Sequence, residues 1–106
     1  MEALSVGMYV RTLNGIVKID KIQDNVMEDT KGHLHYGDFI KASYKITDIL
    51  EEGDYVNGCK VIDIVENDIY ISNFYAEQCI DIVTIKNIKS IVTKEQFESM
   101  SYKVSD

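Results

Sequence analysis

Apolar positions along this chain alternate with polar ones over short runs, and the runs come in two sets. Val6, Met8 and Val10 alternate with Gly7 and Tyr9, and Val17 and Ile19 follow after Asn14-Gly15. A period of two predicts half-buried strands, because successive strand side chains point to opposite faces. The second set begins in "EEGDYVNGCKVIDI", where Tyr55-Val56 leads through Asn57-Gly58 to Val61, Ile62 and Ile64. Asn-Gly accepts φ > 0 readily and is a strong hairpin signal. Turns are also expected over 29–32 and 66–68. Beyond them "HLHYGDFIKA" and "DIYISNFYA" are aromatic and alternating. Further strands are predicted over 44–50, 80–85 and 88–92.

The two sets keep one order. Gly7-Met8-Tyr9-Val10 echoes Gly53-Asp54-Tyr55-Val56, and "VKIDKI" from Val17 echoes "CKVIDI" from Cys59. Ile40-Lys41 is aligned with Ile85-Lys86, and "ITDIL" from Ile46 with "IKSIV" from Ile88. A fixed-order echo with variable loops is what a duplicated supersecondary unit leaves behind. The fold expected is mainly β: two small SH3-like barrels, or one fused pseudo-duplicated barrel, over residues 1–50 and 51–106. A half of under ~50 residues buries too little surface to stand alone, so the two are expected to form one domain. The plainer alternative is that Ile- and Val-rich strands resemble one another by composition.

The end of the chain changes period. "TKEQFESM" carries Thr93 with Gln96 three residues on, a capping box, and Glu95 in the first turn, where the helix dipole favours an acid. Phe97 and Met100 share a face at i, i+3. A short helix closing the barrel is predicted, followed by an edge strand or a tail.

Composition narrows the function classes. The 106 residues carry 11 Lys and Arg against 18 Asp and Glu, a net charge of −7. A sequence-general nucleic-acid binder needs cations against phosphates, so no direct nucleic-acid partner is expected. No apolar run approaches a membrane span and no signal peptide opens the chain, so a cytoplasmic location and no membrane partner are expected. Cys59 and Cys79 form no CxxC, and both read as free, buried thiols.

No Gly-rich phosphate loop, GxSxG or HExxH occurs, so no enzyme, cofactor or metal is expected. His33 and His35 share a strand face, with Asp38 beyond them as a third donor. A solvated hairpin is the simpler account, since two ligands do not make a site. Cys59 beside Lys60 has no histidine near in sequence to activate it. Glu51, Glu52 and Asp54 crowd around Gly53. Such a turn reads as solvated, or as a docking point for a basic partner. Tyr9 and Tyr55 sit at equivalent places and read as structural. In "DIYISNFYAEQ", Tyr70, Ser72 and Phe74 lie opposite Ile69 and Ile71. If the isoleucines are core, the aromatics are exposed. Glu51, Glu52, Asp54, Tyr70, Phe74 and Tyr75 are therefore the candidate protein-binding residues.

"GMYVRT…G", "GDYVNGCKVIDI" and "IKNIKSIVTKEQFESMSYKV" resemble a family of small phage and prophage proteins of Gram-positive bacteria, clostridia especially. The resemblance spans residues 6–104. It implies a mobile-element accessory acting in a bacterial cytoplasm, and it brings no functional residue with it. Three functions are expected in order. The first is a non-enzymatic binder of a basic bacterial host protein, with counter-defence inhibition by DNA mimicry as its sharpest form. The second is a module that self-associates through exposed strand edges. The third is a small-ligand binder between the two β units.

Overall fold

The computed structural model describes residues 4–36, 39–73 and 76–100, with backbone alone at 73, 76–79 and 100. The fold is mainly β, in two five-stranded antiparallel sheets. The first comprises β1 (Tyr9–Thr12), β2 (Gly15–Gln23), β3 (Val26–Asp29), β4 (Leu34–His35) and β5 (Lys41–Ser43), in the order β4-β3-β2-β1-β5. Helix α1 (Ile46–Ile49) leads to the second sheet. There β6 (Tyr55–Val56), β7 (Cys59–Val65), β8 (Asp68–Asn73), β9 (Ala76–Thr84) and β10 (Ile91–Val92) lie in the order β10-β6-β7-β8-β9. A 3-10 turn over Ile85–Asn87 precedes β10, and helix α2 (Lys94–Met100) follows it.

The sheets match in register as well as in strand order. Tyr9 faces Lys18 and Tyr55 faces Lys60, while Val10 faces Val17 and Val56 faces Cys59. The ladder slips between Ile19 and Lys21 in one sheet and between Val61 and Asp63 in the other. Gly7 N donates to Ile19 O and Gly53 N to Val61 O, both at 2.9 Å. A bulge adds local twist, so each long second strand bends at the same place.

Asn57 (φ +53) and Gly58 (φ +81) form the two-residue hairpin between β6 and β7. Both central residues of such a turn need φ > 0. A second hairpin of this kind, Asp24-Asn25, joins β2 and β3. It lacks the Asn-Gly signal, but Asp and Asn tolerate left-handed backbone.

Three expectations need correction. Residues 44–50 are not a strand: Ile46–Ile49 is helical. Ile46, Ile49 and Leu50 lie at i, i+3, i+4, a helical face that outweighs their β propensity. Of 88–92, only Ile91–Val92 is strand. The late part of the echo therefore shifts. Val10 faces Ala42 and Val56 faces Ile91, which makes Ala42 the counterpart of Ile91. The strand or tail expected after the final helix lies outside the described residues.

Two apolar clusters hold the sheets. Met8, Val10, Ile19 and Met27 are buried on the first, with Leu4, Val17, Phe39 and Ala42 against them. The second holds Val56, Val61, Ile69, Ile71 and Val83 together with Ile46, Ile49 and Leu50. So α1, which ends the first sheet's segment, fills the second sheet's core. Tyr9 and Ile16 also pack there. Full burial of each such side chain stabilises by about 1.5–3 kcal/mol. At the far end Thr93 N donates to Gln96 Oε1 (3.0 Å) and Gln96 N to Thr93 Oγ1 (3.2 Å), the predicted capping box. Helix α2 reaches back to the first sheet: a Cβ at Gly15 would lie 2.9 Å from Gln96.

Candidate interaction surface and charged clusters

Arg11 on β1 is fully buried, and so is Asp54. Their pairing is bidentate: Nη1 donates to Oδ2 and Nη2 to Oδ1, each at 2.7 Å. This planar fork is the geometry in which guanidinium and carboxylate interact most strongly. Nη1 also donates to Ile49 O (2.9 Å), Nε to Glu95 Oε1 (3.2 Å) and Nη2 to Glu95 Oε2. The oxygens of Asp54 accept further from the backbone N–H of Glu51 (2.8 Å) and Lys94 (2.9 Å). Glu51 in turn is held by Lys94 Nζ (2.7 Å) and Lys41 Nζ (3.1 Å). Three cations thus meet three carboxylates drawn from β1, β5, the turn before β6, and α2.

The electrostatics follow from this closure. Burial pulls the Arg11 pKa down, but the hydrogen bonds to Asp54 and Glu95 outweigh it, and the group stays charged above its ordinary range. Lys94 and then Lys41 hold Glu51 at about 2 against the opposing effect of burial. Glu95 is also lowered: burial raises it, and the bond from Arg11 prevails. The cluster is neutral and internally satisfied. Its chemistry is that of a clamp between the two halves of the chain.

Of the predicted site residues around Gly53, Asp54 is enclosed in this clamp, Glu51 is half-buried on its rim, and Glu52 is exposed. Arg11 was not singled out from sequence. One signal existed in the echo: Asp54 stands where Met8 does, an acid in place of an apolar residue within an otherwise matching phrase. Arg11 lies in the extra residues that separate Val10 from Asn14-Gly15 and have no counterpart between Val56 and Asn57-Gly58.

The aromatic candidates lie on the β8–β9 hairpin. Ile69 and Ile71 are buried, and Tyr70 is half-buried on the opposite face. Tyr70 faces Ile82 across the ladder and Ser72 faces Ile80. Ile80 and Ile82 are 59% and 55% exposed. β9 is the outermost strand of its sheet, nine residues long, and pairs with β8. Phe74 and Tyr75 lie outside the described residues.

A second polar cluster was only half anticipated. Asp29 is buried, and its Oδ1 accepts from the backbone N–H of Lys31 (2.8 Å) and His33 (3.0 Å). Its Oδ2 lies 2.8 Å from His35 Nε2 and 3.6 Å from His33 Nδ1. The bond from His35 leads the effects that bring its carboxyl down to about 2, with the two backbone N–H groups adding to it. Asp38, the third donor expected beside the two histidines, lies outside the described residues. Among the described residues no group of three or more His, Cys, Asp or Glu is arranged to hold a metal ion. Cys59 is a half-buried free thiol, and the side chain of Cys79 is not described.

Among the described residues no helix is long and apolar enough to cross a membrane. No protein-family model, curated protein or solved structure matches the chain.

Proposed function

We propose that this chain is a non-enzymatic binding protein that meets a protein partner through the outer face and outer edge of its β8–β9 hairpin. The observation that carries the reading is β9 itself: a nine-residue outermost strand with Ile80 and Ile82 exposed beside Tyr70. A long edge bearing apolar side chains offers main-chain hydrogen bonds and side-chain contacts together, the basis of strand addition. Phe74 and Tyr75 stand between β8 and β9 in the sequence. Asp63, which faces Tyr70 across the ladder, and Glu66 are exposed acids beside the hairpin, and they favour a basic partner by complementarity. Asp54 and Glu51 serve the internal clamp, and Glu52 is exposed on the turn beside it.

The resemblance to phage and prophage proteins makes the proposed partner a bacterial host protein in the cytoplasm. The matched strand order, bulges and hydrogen bonds support a duplicated, SH3-like β unit as the scaffold. A second reading, self-association, draws on the same edge: β9 pairing with β9 of another copy would cover it.

Tagged wild-type protein and an Ile80→Asp/Ile82→Asp variant, each exposed to bacterial lysate at low and high salt, separate these readings. A basic protein retained by wild type and lost by the variant, with unchanged melting, supports the binding reading. Identical recoveries from both would overturn it. Light scattering across a concentration series reads self-association directly, as a rise in mass that the variant abolishes.

A further inference from the structure

We propose that the groove between the two sheets binds a small organic anion, one that carries a phosphate or carboxylate group. This groove shares no lining residue with the β8–β9 hairpin among the described residues. Two adjoining cavities, about 580 and 400 Å³, share Ile16, Val17, Lys18, Lys31 and Ile91 as walls. Together they form a trough lined from β2, the β3–β4 turn and β10. The larger volume alone falls in the range of small-molecule sites.

The charge around this trough runs against that of the chain. Acids outnumber Lys and Arg by 18 to 11 overall. Among the described residues that line the trough, the one acid is Asp29, against Lys18, Lys31 and Lys89. Asp29 is buried, and both its oxygens are engaged by Lys31 N–H, His33 N–H and His35 Nε2. Its charge is therefore directed inward, to hold the His35 ring and the turn that carries Lys31. Ile16, Val17 and Ile91 give an apolar floor for the organic part of a ligand. Lys18 Nζ lies 5.5 Å from the Tyr9 ring centroid, a cation–π contact that holds this lysine over the trough wall.

The comparison of the two sheets gives the strongest reason. Ile19 faces Asp29 in the first, and Val61 faces Ile71 in the second. Met27 faces His35, and Ile69 faces Val83. Where the second sheet buries Ile71 and Val83 in its core, the first sets an Asp–His pair in the lining of the 580 Å³ cavity. Sheet packing does not require this pair, since an aliphatic pair serves at the same positions. A polar pair that orients an imidazole beside two lysines suits recognition of an anionic group.

The test is amide NMR titration of the full chain with inorganic phosphate, AMP and citrate. AMP and citrate separate phosphate-bearing from carboxylate-bearing ligands, and inorganic phosphate shows whether the organic part matters. Saturable shifts at Lys18, Lys31, His33 and His35 with AMP or citrate are expected. The apparent Kd should weaken at least about tenfold in Lys18→Glu/Lys31→Glu. Lys60→Glu, at the counterpart position on the second sheet, should leave it unchanged. Asp29→Ile/His35→Val imports the second sheet's own pair. It removes the bonds from Lys31 N–H and His33 N–H to Asp29, so it should melt somewhat below wild type, remain folded with the wild-type amide pattern on the second sheet, and lose binding. Non-saturating shifts up to about 10 mM for every probe, or equal affinity in wild type and both double variants, would overturn the proposal.

Discussion

Arg11 and Asp54 are each fully enclosed, so neither can lose its partner without leaving a charge in the interior. Removal of one member of such a pair costs about 3–5 kcal/mol, whereas joint replacement by apolar groups can be close to neutral. Asp54→Leu is therefore expected to lower the urea midpoint sharply, and Arg11→Met/Asp54→Leu to recover more than half of the loss. If the double variant is no more stable than the single, the two residues are not coupled as described. The clamp also sets a pH dependence. The folded-state pKa values of Glu51 and Asp29 are both depressed to about 2, and Glu95 is lowered too. Groups depressed on folding contribute stability above their unfolded pKa of about 4, and that contribution is lost as pH falls through the folded value. The urea midpoint should fall between about pH 5 and pH 2, and Glu51→Gln should lower the midpoint at pH 7 and flatten the acid limb. A midpoint that rises on acidification would contradict the assignment. From sequence, the acids around Gly53 read as a solvated turn. Burial is a tertiary property, and Arg11 lies 43 positions from Asp54, beyond the reach of any local pattern.

At the level of elements, period and turn chemistry carried most of the information. The Asn57-Gly58 hairpin, the turn after Asp29 and the Thr93–Gln96 capping box are local, each with its signal within four residues. Helix α1 is the instructive failure. "ITDIL" is short and β-branched, and strand and helix periods cannot be separated over five residues. What decides is that Ile46, Ile49 and Leu50 fill the core of the second sheet from a segment that follows the first. Ile49→Ala should therefore cost about 2–5 kcal/mol, with amide exchange accelerated on β7 and β8. Acceleration confined to β1 and β2 would show that α1 belongs to the first sheet. Thr93→Ala should cost about 0.5–2 kcal/mol through loss of the cap, read from the same denaturation curves.

At the scale of the whole molecule, the matched sheets exchange contacts. α1 enters the second core, α2 returns to Gly15 and Arg11, and Asp54 ties the two together. Each sheet depends on segments from the other half, so separate expression of residues 1–50 and 51–106 would sever every one of these ties. The mainly β architecture was legible in the alternation. The trough between the sheets was not, because its polar character arises at Asp29 and His35, whose core counterparts emerge only once register is known. The surface proposed for binding was legible in part: alternation set Tyr70 opposite Ile69 and Ile71, but the sequence does not say that β9 ends its sheet.

The central functional claim is that a partner adds to β9, the outermost strand of its sheet among the described residues. Amide hydrogen exchange along Ala76–Thr84, with the captured partner bound and without it, tests this most directly. Strand addition predicts slowed exchange at alternate β9 positions, whose N–H groups point away from β8. Unchanged exchange on β9 with protection gained elsewhere would place the partner on another surface and contradict the account.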